Sequence, residues 1–230
     1  MSDQEAKELL DKIVGVVFGY QNPLSLDQAK DKFAFDLRLP QQVNDSFSGE
    51  PTWASSVNPT RFVTPERARS REDGWILPKR ELKGIEDIVE AWSETNYTTT
   101  ARQIECVNVS KSDNIYNSEN VYMSTDLRNS KDVLFSESGN SYEYVIAGSR
   151  SNASSYCIRV EDSQLCTNSF NVIWSSKVSN SFFIQDCFDV MDCMFCSHLA
   201  GMRYCIANMQ FTEEEYKKLK LDVIRWILTS

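Results

Sequence analysis

All seven cysteines of this 230-residue chain, Cys106, Cys157, Cys166, Cys187, Cys193, Cys196 and Cys205, are separated by multiples of three. They belong to a fuller grid. Every third residue from Cys106 to Cys205 is uncharged, although 25% of the chain is Asp, Glu, Lys or Arg. The charges sit between grid positions, at Asp113, Glu119, Lys131, Asp132, Glu143, Arg150, Glu161, Lys177 and Asp192 among others. A period of three is neither the 3.6 of an α-helix nor the 2 of a flat strand. It describes a chain that turns every few residues and directs each third side chain at an axis, which is a solenoid. Grid residues are therefore expected inside and their neighbours in water.

Within the grid, Ser112, Ser118, Ser124, Ser130 and Ser136 recur six apart, with Ile115, Val121, Leu127 and Val133 midway between them. Later the bulky set is Val160, Val172, Val178, Ile184 and Val190, and the small set includes Ser163, Ser169, Ser175 and Ser181. Asn or Asp precedes many grid positions, at Asn114, Asn120, Asp126, Asp132, Asp162, Asn168, Asn180, Asp186 and Asp192, and marks corners. The repeat unit is thus a hexad. Two hexads per coil give four inward side chains, two small and two bulky, that fill a narrow core; three hexads per coil is the alternative. Twelve-residue coils predict a rod of about eight turns, roughly 40 Å long at ~4.8 Å per turn. Small and bulky positions exchange phase around Gly139, Tyr142 and Gly148, which reads as a three-residue insertion or a protruding loop within 137–155.

The rest of the chain divides around the rod. Residues 1–38 read as N-terminal helices: Ser2 and Glu5 make a capping box before the apolar stripe Ala6, Leu9, Leu10, Ile13, Val14 and Val17, and a second helix starts at Ser25. Residues 39–82 hold five of the six prolines (Pro40, Pro51, Pro59, Pro65, Pro78), show no period, and read as an extended arm. Residues 83–104 are a helix, with Ile85, Ile88, Val89 and Trp92 on one face, and a linker. The β-solenoid spans 105–211, and a helix over 212–230, opened by a Thr212–Glu215 capping box, is expected to cap it. The fold class is mainly β: a narrow β-solenoid with an α-helical N-terminal region and a C-terminal helix.

The stretch Asp192-Cys193-Met194-Phe195-Cys196, followed by Tyr204-Cys205-Ile206-Ala207-Asn208-Met209-Gln210-Phe211-Thr212 and Glu214-Glu215-Tyr216, resembles the C-terminal signature of a loosely defined group of hexad-repeat β-solenoid proteins of phages and small-genome bacteria. The likeness covers roughly 106–220. The chain departs from that group in carrying few cysteines before Cys157. The resemblance implies a β-solenoid and, for phage members, a role in the virion.

Chemistry is sparse. A single C-x-x-C, Cys193 and Cys196, with Cys187 and Cys205 nearby, is the one set that could hold zinc, but every cysteine is already explained by the inward grid. His198 is the only histidine and lies off the grid, so no Cys–His or Ser–His–Asp set is apparent. Asp186, Asp189 and Asp192 are candidate carboxylates for a carbohydrate-active enzyme by spacing alone. No phosphate loop or dinucleotide fingerprint appears, and no cofactor or metal is expected. A net charge of −9 argues against nucleic acid and anionic membrane as partners. No apolar run is long enough to cross a bilayer, and the acidic first residues do not read as a signal peptide. The costly feature is the arm, whose Trp53, Phe62 and Trp75 need a receiving surface. The expectation is a non-enzymatic structural or assembly protein, a phage virion component of the capsid, neck or connector region. Its arm would dock on neighbouring copies or other virion proteins, in the virion or in host cytoplasm during assembly. The alternative is an intracellular protein-binding module on a solenoid platform.

Overall fold

The computed structural model describes residues 1–57 and 61–229, with the side chains of Glu72 and Asp73 excepted, so Pro59 of the arm lies outside the described residues. Residues from Gln103 to Ile206 wind into a β-solenoid of about nine turns. Parallel pairing joins each residue to the one twelve further on: Val121 with Val133, Val145 with Cys157, Val160 with Val172, Ile184 with Cys196. The coil is two hexads, which excludes three.

The period of three has a backbone origin. From Glu105 to Ala207, every third residue lies in the left-handed region, with φ between 43° and 64°. Each stands immediately before a grid position, so two extended residues and one left-handed residue repeat without a break. Asn and Asp tolerate this conformation best. The same positions also hold Lys111, Met123, Phe135, Tyr144, Arg159, Leu165 and Trp174, so the repeat imposes this conformation against local preference.

The small grid residues do more than leave room. Ser124 donates its hydroxyl to the Tyr122 carbonyl at 3.0 Å and accepts the Ser136 amide at 3.0 Å. The same two bonds recur at Ser112, Ser118, Ser163, Ser175 and Ser181. Bulky residues fall within strands, where the ladder satisfies their amides; the serines fall between strands, where their amides point inward and only a hydroxyl from the previous turn reaches them. A buried amide without a partner costs about 1–3 kcal/mol, so the serine rows are required by hydrogen bonding as well as by volume.

The phase exchange is not an insertion. The twelve-residue register runs through it, from Val133 to Val145 to Cys157. The core pattern itself turns by one side of the coil. Ser118 and Ser130 stack beneath Tyr142, and above it the same row passes through Ser154 to Cys166, Val178 and Val190. Tyr142 occupies the transition turn. A Cβ on Gly139 would lie 2.0 Å from its ring, and one on Gly148 would lie 2.7 Å from it. Its hydroxyl accepts the Ser151 amide at 3.1 Å. The two glycines are the space into which the ring fits.

One outer row contradicts the expectation that all neighbours of the grid face water. Tyr122, Leu134, Ile146, Ile158, Phe170, Phe182 and Met194 are twelve apart and buried. Helix α1 (Asp3–Phe18) lies along them, with Ala6, Leu9, Leu10, Ile13, Val14, Val17 and Phe18 turned inward. Phe18 meets Phe170 and Phe182 edge-on at 5.4 and 5.5 Å. The Ser2–Glu5 capping box is formed, and Ser25 caps α2 (Leu26–Phe33), which adds Ala29 and Phe33. The C-terminal helix (Glu213–Thr229) covers the later turns, its Thr212–Glu215 box closed and Trp226 tilted against Phe183 and Phe195. These helices hide the side of the rod; its last edge is closed by the antiparallel turn of Cys205–Ile206 on Met209–Gln210.

The proline-rich arm is not extended. β1 (Gln41–Asn44) and β2 (Pro51–Ala54) form a hairpin, and β3 (Arg61–Val63) precedes the short helix α3 (Pro65–Ser70). After α4 (Ile85–Ser93), β4 (Tyr97–Thr99) returns to pair in parallel with β3. Turns and capping side chains make up for the missing period: Asp45 accepts the Phe47, Ser48 and Thr64 amides at 2.8–2.9 Å.

Two outcomes test this account. Ser124→Ala is expected to destabilise by about 1–3 kcal/mol in chemical denaturation, while Ser138→Ala, on an exposed corner, stays within about 0.5 kcal/mol. Gly139→Ala is expected to cost about 1–3 kcal/mol by overpacking. Tyr142→Ser removes the clashing ring, so in a double-mutant cycle the pair is expected to be less destabilised than the sum of its members.

Candidate docking surface

α4 is the one helix of eight or more residues in which no residue is buried. Glu86 and Asp87 favour its N-terminus, and Asp87 accepts the Lys83 amide at 2.7 Å. Ile85, Ile88, Val89 and Trp92 form its apolar stripe, and all four are roughly half exposed or more. Ile76, 79% exposed, and Leu82 lie in the segment leading to it. Arg80 pairs with Glu94 at 2.7 Å, which ties that segment to the end of the helix. Scattered apolar residues on a surface are ordinary; a whole helical stripe left in water marks an interaction site.

The aromatic residues of the arm are engaged within the chain. Trp75 donates its indole N–H to the Ala68 carbonyl at 3.0 Å and meets Tyr97 edge-on at 5.7 Å, with the Arg71 guanidinium 4.2 Å from its ring. Tyr97 in turn stacks on Phe47 at 5.0 Å. Trp53 lies in the hairpin opposite Gln42, and Phe62 pairs with Thr98; both are half-buried. Trp53, Phe62 and Trp75 do not form one patch. Part of the receiver that a neighbouring chain would otherwise supply comes from β4, where Tyr97 meets Trp75 and Thr98 pairs with Phe62, beyond the proline-based boundary at 82.

This small unit is fixed to the first turns of the rod by one buried carboxylate. Asp113 accepts from the Arg102 amide, Nε and Nη2 and from the Ser55 amide and hydroxyl, all within 2.8–3.0 Å. Burial opposes its charge, but the Arg102 guanidinium and these donors together hold the carboxyl below the usual carboxylate range. Its place between grid positions predicts exposure; instead its side chain is 1% exposed. A second concavity, of about 950 Å³, lies between α2 and the hairpin. Its apolar wall is Phe35, Leu37, Leu39, Val57 and Met123, and its charged side chains are Lys30, Asp31 and Arg38.

The remaining candidates do not converge. Cys187, Cys193, Cys196 and Cys205 point inward, and the first three each donate to the carbonyl two residues earlier at 3.2–3.3 Å. No group of three His, Cys, Asp or Glu among the described residues is arranged for a metal. Burial pushes the Cys157 thiol up and the Cys166 thiol up to about 11, which suits inert core residues. His198 faces outward, 3.6 Å from Asp186. Asp186, Asp189 and Asp192 take three successive corners and so face different ways, Asp192 pairing with Arg203 at 3.2 Å. No helix of the described residues is long and apolar enough to cross a membrane.

No protein-family model matches the chain, and no curated protein matches it either.

The Asp113 anchor is testable by pH. A carboxyl held low in the folded state contributes stability that is present above its unfolded pKa and lost as pH falls through its folded one. Asp113→Asn leaves Arg102, which solvent partly screens, without its counter-charge and the surrounding donors short of acceptors, and is expected to destabilise by about 1–3 kcal/mol at neutral pH. The loss relative to wild type is expected to shrink in acid, as read from denaturation midpoints across a pH series.

Proposed function

We propose that the chain is a non-enzymatic structural protein of a larger assembly, in which the solenoid is the stiff part and α4 the docking element. The observation that carries this is the bare apolar stripe of α4. Burying an apolar side chain of this size contributes about 1.5–3 kcal/mol, so four of them leave a substantial free energy unrealised in the isolated chain. A rod stiffened by hydroxyl and backbone ladders, with two helices laid along it, suits a part that transmits position. The groups considered for catalysis are dispersed around the coil.

The resemblance of the Cys193–Tyr216 region to phage solenoid proteins supplies the setting: a virion component of the capsid, neck or connector region, with other protein chains as partners. A second reading, a binding platform on the solenoid itself, draws on Leu165, Trp174 and Phe188, which stand exposed on the outer face.

The test is Ile88→Asp with Trp92→Asp. Both positions are exposed, so circular dichroism and thermal unfolding are expected to match wild type. Assembly, read as particle mass by light scattering from material purified from its source, is expected to be lost. Unchanged particle mass would remove α4 from the assembly and leave the platform reading in its place.

A further inference from the structure

The structure carries both halves of one contact. α4 presents Ile85, Ile88, Val89 and Trp92 with Glu86 and Glu90, one turn apart, along one flank of the stripe, and neither acidic side chain has an ion-pair partner among the described residues. The groove between α2 and the hairpin presents the complement. Its apolar wall includes Phe35, 69% exposed, with Leu37, Leu39, Val57 and Met123. Its basic groups are Lys30 and Arg38. Lys30 stands 3.5 and 3.6 Å from Asp27 and Asp31, and Asp31 also lines the groove, which leaves Arg38 as the uncompensated charge. Arg38 is held in place through its backbone, its amide donating to Glu137 of the rod at 2.9 Å, while its side chain makes no ion pair among the described residues.

We propose that α4 of one copy docks in this groove of a second copy, apolar stripe against apolar wall and Glu86 or Glu90 against Arg38. This rests on the reading of α4 as a docking element and names its partner. Helix-in-groove recognition uses apolar side chains at the spacing found here, i, i+3, i+4 and i+7. The helix is about 13.5 Å long, a length of nine residues at 1.5 Å each. A groove of about 950 Å³ is at the upper end of the range for small-molecule sites, roughly 300–1,000 Å³, and large enough for the four side chains of a stripe. The competing arrangement, two α4 helices packed antiparallel about a two-fold axis, would bring the acidic flanks of the two helices together. The groove contact instead sets acid against base.

Donor and acceptor are different patches of one chain, so the contact is head-to-tail. Two copies satisfy both patches only if they exchange α4 reciprocally about a two-fold axis; any other rotation between copies continues the contact into a larger ring or a filament.

The experiment uses the full chain in two variants. Val89→Asp disables the donor, and Phe35→Asp with Arg38→Glu disables the acceptor. Wild type is expected to show a mass that rises with concentration in sedimentation velocity. Each variant alone is expected to be monomeric with an unchanged circular dichroism spectrum. Their equimolar mixture is expected to form dimers and nothing larger, because one intact donor and one intact acceptor remain per pair. Adding Glu86→Lys and Glu90→Lys to an otherwise intact α4 is expected to weaken binding to wild-type grooves and to restore it to an Arg38→Glu groove. If wild type multimerises and the groove variant still does so alone while Val89→Asp does not, α4 docks elsewhere; the inference falls and the assembly reading stands. If wild type stays monomeric, or the mixture stays monomeric while wild type multimerises, the inference falls as well. Multimerisation of Val89→Asp alone would count against both.

Discussion

Everything in this protein depends on a left-handed residue at every third position. A chain that places two residues in extended conformation and the third at positive φ turns a corner each time, and four corners close a coil of twelve. The coil is too narrow for large side chains on all four sides, so two opposite sides carry valine, isoleucine or leucine and the other two carry serine. The small sides then expose inward-pointing amides that the ladder does not reach. Serine resolves both demands at once, being small and carrying a hydroxyl that accepts from the next turn while donating to its own. Cysteine takes over from serine at Cys187 and Cys193, whose own amides are still held by the serines one turn earlier.

The rod was legible because its constraint is local and repeated. An uncharged residue at every third position needs no knowledge of tertiary structure to be seen, and Asn and Asp at the corners mark the turns. The helical cover was half legible. The stripes of α1 and α4 are equally clear in sequence, yet α1 is buried and α4 is bare. The difference lies in the receiver, the apolar row from Tyr122 to Met194, which recurs at twelve and not at three and so hides among charged neighbours. A search at the coil period finds it. Residues 39–82 hide their structure for a different reason. Prolines remove periodicity without removing structure, and the strand that completes this unit, β4, lies beyond the last of them.

The candidate surface shows the limit of composition as a guide. Trp53, Phe62 and Trp75 stand out as aromatic residues in a proline-rich stretch, but Trp75 packs on Tyr97 of the same chain and Trp53 and Phe62 are half-buried in its strands. The residues left without partners are the aliphatic stripe of a well-formed helix. Asp113 carries the converse lesson: a charge at an outward position is buried because Ser55 and Arg102 close over it.

The transition at Tyr142 has the character of a stacking fault in a crystal. The backbone lattice passes through it in register, while the pattern inside rotates by one side. The hydroxyl ladders do not cross it. One ends where Ser130 receives the Tyr142 amide and another where Ser136 receives the Gly148 amide; a new one begins at Ser151. The rod is therefore two segments, each with its own hydroxyl ladders, meeting at a plane bridged by backbone pairing, by the apolar row Val133, Val145 and Cys157, and by the Tyr142 ring. α1 crosses that plane, touching Leu134 and Ile146 on one side and Ile158 and Phe170 on the other. It acts as a splint across that plane, adding a continuous apolar contact along the outside where the inner hydroxyl ladders stop.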